Sequence, residues 1–138
     1  MSVHSGILRL STQGEGEIVD ITEGVRSVVH RSGVQTGVVV TFAVGSTVAV
    51  TTMEHEPGGV SDLQQLLEAL IPRAGAYEHN ARAHDTNAHA HLRAALIGPS
   101  ESVPVVGGEL GIGTWQQVVL LDFDDRPRDR TVSVTVLG

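Results

Sequence analysis

The order of apolar patterns in this 138-residue chain predicts an α+β fold: strands and helices intermixed, a β-rich C-terminal third and no βαβ repetition. Three observations carry that reading. Val and Thr are abundant, which favours strand. Three segments place apolar residues at helical spacing. The last third consists of β-branched runs separated by glycine and charged turns. The expectation is one compact domain over residues 1–138, a large mixed or antiparallel sheet flanked by about three helices.

Element by element, "SGILRLST" (5–12) reads as a first strand. "DITEGVRSVVHRSG" (20–33) follows with Ile21, Val25, Val28 and Val29 on one helical face, an Asp20–Glu23 capping box and Gly33 as its stop. "TGVVVTFAVGSTVAVTTME" (36–54) is two strands broken at Gly45, or one long bent strand. The second helix carries Leu63, Leu66, Leu67 and Leu70, with a Ser61–Gln64 capping box, and ends at Pro72. A third, short helix is expected near "HLRAALIG", closed by Gly98. Strand then returns in "SVPVV", a Gly107-Gly108 turn, "GTWQQVVLLDF", the charged turn "DDRPRDR" and "TVSVTVL". Trp115, between the glycine turn and an apolar strand, is expected to be buried.

Composition excludes several chemistries. The net charge is −7, and all nine basic residues are arginines. There is no basic stripe for a nucleic acid, no lysine for Schiff-base or P-loop chemistry, and no cysteine for thiol chemistry. No apolar stretch approaches the roughly 20 residues of a membrane span, and no basic-then-apolar leader opens the chain. The expected location is the cytoplasm.

The chemistry-bearing residues concentrate in "HDTNAHAHLRAALIG" (84–98). Four of the seven histidines, His79, His84, His89 and His91, fall within thirteen residues. His89 and His91 point the same way only on extended backbone; on a helix they diverge by about 200°. If the helix begins after His89, then His84, His89 and His91 can converge on a divalent metal, zinc suiting imidazoles and magnesium suiting carboxylates. An anion bound by protonated imidazoles is the other occupant. Asp85 and Glu54 are candidate carboxylates, and with His91 they form the expected catalytic set. In "DFDDRPRDR", one or two of the arginines, Arg126, Arg128 and Arg130, can make bidentate contacts with an anion. The glycine-rich "GGELGIGTWQ" is no dinucleotide fingerprint, because a strand follows it where a helix is needed.

Taken together, "EHEPGG", "DLQQLLEALIP", "YEHN", "HDTNAHAHLRAALIGPS" and "VPVVGGELGIGTWQQVVLLDFDDRPRDR" resemble the YjbQ-like family. The most specific part is Ser100, Val103, Val105, Gly108 and then Gly113-Thr114-Trp115-Gln116 at the family's spacing. The resemblance implies a YjbQ-like α+β fold, a homotrimer with clefts between subunits, and a weak secondary thiamine-phosphate synthase activity. It aligns Glu54, Asn87, His91, Gly113, Trp115, Gln116 and Arg128 with family positions. Many members carry His-Thr-Thr where this chain has Gly45-Ser46-Thr47, so a role for that histidine does not transfer. The resemblance implies a small-molecule enzyme, a transferase or metal-assisted hydrolase, acting on a phosphorylated substrate whose phosphate Ser100, Arg128 and Arg130 are expected to bind. The alternative is a non-enzymatic trimer that binds a metabolite or metal.

Overall fold

Alternation along the C-terminal run decides the centre of the fold. Strand β8 (Arg128–Leu137) buries Val132, Val134 and Val136 and turns Thr131, Ser133 and Thr135 to its other face. Each buried valine contributes on the order of 1.5–3 kcal/mol. In the computed structural model, which describes residues Met1–Gly138, β8 pairs with β1 (Val3–Thr12) on one side and β3 (Thr36–Val44) on the other. Beyond β3 lie β5 (Ser100–Val106) and the two-residue β6 (Glu109–Leu110), giving the order β1-β8-β3-β5-β6. A second sheet has the order β2-β7-β4, from β2 (Glu17–Asp20), β7 (Gln117–Asp122) and β4 (Val48–Met53). Every pairing in both sheets is antiparallel.

The unbroken apolar run in β7 follows from burial on both faces. Val118 and Leu120 join the larger core, between the two sheets and helix α1 (Thr22–Ser32). Val119 and Leu121 join a second core with Ala49, Phe123, Leu67 of α2 (Pro57–Leu70) and Ala90 and Ala94 of α4 (Ala88–Ile97). Gly6 lets α1 lie close on β1: a Cβ there would come within 2.6 Å of Val28. No helix is long and apolar enough to cross a membrane.

The α+β class and the antiparallel option hold, and the chain splits at Gly45 into two strands that belong to different sheets. Several details differ from expectation. The short helix α3 (Glu78–Ala83) and strand β2 carry too few apolar residues for a periodic signal. Helix α2 begins four residues before Ser61: Pro57 occupies the first turn, and Glu56 accepts hydrogen bonds from the Gly58 and Gly59 N–H groups at 2.8 Å. At α1, Asp20 accepts from the Thr22 N–H and hydroxyl, while Glu23 pairs with Arg26 instead of closing a capping box. Trp115 is 74% exposed. Gln116 fixes its loop from the side, accepting from the Gly113 N–H and donating to Thr52, so the indole is not needed to fill the core.

Candidate functional site around His91

Helix α4 starts before His89, which decides where the histidines go. Asn80 of α3 supplies the cap, its side-chain oxygen accepting from the Ala88 N–H at 3.0 Å. His89 and His91 both fall in the first turn and diverge. His89 turns inward, 2% exposed, and its Nδ1 has no hydrogen-bond partner. Burial, then the positive charges of Arg93 and Arg73, push its pKa down. His84 lies outside, exposed, as the left-handed residue that ends α3. The expected triad of His84, His89 and His91 therefore does not assemble, and the chain gathers no group of three or more metal-ligating side chains.

His91 faces outward and has a fixed orientation. Its Nδ1 lies 3.1 Å from the Ser46 carbonyl oxygen. A carbonyl only accepts, so Nδ1 carries the proton and Nε2 of the neutral ring presents a lone pair. The ring meets that of His79 edge-on, centroids 4.7 Å apart at 72°. The His79 Nε2 donates in turn to Asn87 Oδ1 at 3.3 Å, leaving the His79 Nδ1 as a second acceptor.

His91 stands between two open clefts. One, of about 390 Å³, is walled by Ala76, Tyr77, Glu78, His79, Ala88 and Leu92. The other, of about 360 Å³, is formed by Gly45, Ser46, Ala94, Ala95 and Pro99. Ser100 follows directly at the exposed start of β5.

The turn that presents Ser46 is anchored by a buried ionic network. Arg130 makes a two-pronged contact with Asp122, Nε to Oδ2 at 2.7 Å and Nη2 to Oδ1 at 2.9 Å, and also donates to Thr47 at 2.7 Å. Thr12 donates to Asp122, and Thr47 to Asp124 at 3.2 Å. Gly45 is required here: its φ is +146°, and a Cβ would come within 2.9 Å of the Arg130 guanidinium. Arg128 is paired with Asp124 at 2.9 Å, and Arg126 with Asp125 at 3.2 Å.

These pairings recast the expected roles. Arg130 holds the fold, and Arg128 donates its Nε to Asp124 while its side chain stays partly exposed. Asp85 accepts from the Thr86 N–H at 2.8 Å, with Arg126 3.9 Å away, and lines neither cleft. Glu54 lies beyond the far end of β4, six extended residues from Val48 and so roughly 20 Å along the strand. It does not join His91 within the chain. His79, Tyr77 and Ser46 also belong to the site and are not among the residues expected from the sequence to act in it. His79 was visible as a member of the cluster; Ser46 acts through its backbone, which leaves no side-chain signal.

The family model described as "UPF0047 protein YjbQ-like" matches residues 6–138. A UPF0047 protein of Methanothermobacter thermautotrophicus is 39% identical over 138 residues, covering 100% of this chain and 94% of that protein. One from Synechocystis is 36% identical over 98% of this chain and 92% of its own length. Among solved structures, a Sulfolobus solfataricus protein described as YbjQ-like and of unknown function superimposes with a TM-score of 0.94. It is 34% identical, over 99% of this chain and 98% of that one. An Aeropyrum pernix protein gives a TM-score of 0.90 at 34% identity, over 97% and 98% of the two chains.

Proposed function

The chain belongs to the UPF0047 family of YjbQ-like proteins, and we propose that it is a small-molecule enzyme whose acid–base group is His91. The observation that carries this reading is the His91–Ser46 hydrogen bond. It leaves Nε2 as the acceptor of the neutral ring, on a residue that lines two open clefts large enough for a metabolite. His79 supports the ring from the side. A proton taken from a substrate O–H or N–H passes to Nε2, and the Ser46 carbonyl stabilises the resulting imidazolium through Nδ1–H.

Two imidazole nitrogens are too few to hold a divalent ion on their own, so the reading rests on proton transfer rather than on a resident metal. The diphosphate-releasing transfer implied by the thiamine-phosphate resemblance needs free cations over its leaving group. The arginines of the 126–130 turn are each engaged by a carboxylate. Incubating the protein with a soluble metabolite extract and following it by mass spectrometry tests the proposal. The wild type is expected to deplete a small molecule that His91→Gln leaves intact; equal depletion by both contradicts it.

Assembly into a homotrimer is the quaternary part of the proposal. It is supported by the uncovered outer face of the five-stranded sheet, where Ile7 on β1 and Phe42 and Val44 on β3 stand exposed on either side of β8, with Val3 and Val106 at the margins. A sheet face of this kind marks an interaction surface. Sedimentation should give a trimer at micromolar concentration, and Phe42→Asp should weaken it. A wild-type monomer overturns this part.

A further inference from the structure

We infer that the molecule His91 acts on is uncharged where it meets the protein: a ring- or hydrocarbon-bearing compound that offers an O–H or N–H and carries no phosphate there. This rests on the reading of His91 as the working group and names its substrate class.

The cleft walls supply the first argument. Ala76, Ala88 and Leu92 on one side of His91, and Ala94, Ala95 and Pro99 on the other, present carbon. Tyr77 does the same. Its hydroxyl is taken by the Pro72 carbonyl, and its ring lies over Gly75, where a Cβ would come within 2.6 Å. Such walls favour a ligand that gives up little hydration on entry.

Charge supplies the second. The side chains lining the clefts that can carry charge near neutral pH are His79, His91 and Glu78, with no arginine among them. Arg126, Arg128 and Arg130 face carboxylates, and Arg82, one turn along α3 from His79, lines neither cleft. A phosphate dianion seated here would lose hydration without a cationic partner. It would also meet the field of Glu78 and of a chain whose net charge is −7. His91 Nε2 and His79 Nδ1 are acceptors in the neutral rings, as is the Glu78 carboxylate, and an acceptor pairs with a donor: a hydroxyl or N–H; the Ser46 hydroxyl adds one uncharged partner.

The test uses the full-length protein with isotope-labelled histidine, titrated at pH 8 with benzyl alcohol and, separately, benzyl phosphate while the His79 and His91 ring resonances are followed. Benzyl alcohol is expected to shift both rings saturably and to bind about tenfold more tightly than benzyl phosphate. Leu92→Arg, at a half-exposed position of the cleft wall, is expected to reverse that order by adding the missing cation. Benzyl phosphate binding as tightly as the alcohol at the wild-type histidines overturns the substrate class and leaves the His91 site standing. If neither probe moves those rings, the site reading falls, and the substrate class with it. Failure of Leu92→Arg to reverse the order overturns the electrostatic explanation.

Discussion

His91 donates from Nδ1 to the main-chain carbonyl of Ser46 across 3.1 Å, joining the first turn of α4 to the bend between β3 and β4. A backbone acceptor survives any side-chain change at residue 46, so the ring orientation depends on the bend itself. Nitrogen NMR of the histidine rings should find neutral His91 in the Nδ1–H form. A dominant Nε2–H form contradicts this orientation.

The network under that bend should be costly to break. Asp122 is fully buried and holds Arg130 with both oxygens. Asp122→Ala leaves a guanidinium buried without its partner, and denaturant unfolding should show a loss of about 3–5 kcal/mol. A loss below about 1 kcal/mol would mean that water or another carboxylate replaces Asp122.

Acid should weaken the same region. Burial pushes the Asp124 carboxyl up, but the Asp125 N–H, Arg128 and Thr47 together outweigh it and hold the pKa at about 2. A carboxylate depressed below its unfolded value of about 3.9 stabilises the fold fully above that value and ceases to do so as pH falls toward 2. Asp122 shifts in the same direction. Unfolding followed from pH 5 to pH 2 should therefore show declining stability, by about 2 kcal/mol from Asp124 alone. Thr47→Val should reduce the decline.

His89 should add a second, milder dependence. Its folded pKa lies below the unfolded value near 6.5 because of burial and the charges of Arg93 and Arg73. The unfolded chain then binds the proton more readily, so stability falls as pH drops below about 6.5. His89→Leu also removes the unpartnered Nδ1, and stability should become flat between pH 7 and pH 5. An unchanged slope assigns the effect to another group.

Trp115→Ala should leave the stability of the isolated subunit within about 0.5 kcal/mol of wild type, because the indole is exposed. A loss of 3 kcal/mol or more, the range of an emptied core site, would show that Trp115 packs inside the fold after all.

What the sequence reveals here depends on the range of the forces involved. The valine alternation of β8, the doubly buried VVLL run and the break at Gly45 are local patterns, and they specify strands directly. Helix α3 is six residues long and has no buried residue, so no periodicity announces it. The histidine cluster was legible as a concentration of imidazoles, but its geometry turned on one cap. Asn80, eight residues upstream, starts α4 early enough to send His89 and His91 apart. The pairing of Arg130 with Asp122 is hidden from the sequence for a similar reason. In "DFDDRPRDR" its pairing with Asp122 depends on the β7–β8 turn, which brings together side chains eight residues apart.

The most direct test of His91 as an acid–base centre is the stoichiometry of consumption. With the depleted metabolite in large excess, the wild-type protein should convert many equivalents per subunit with a linear time course, and His91→Gln should convert essentially none while retaining wild-type stability. A loss that stops at one equivalent per subunit, with the compound recoverable unchanged on unfolding, would identify a binding protein and contradict the enzymatic account.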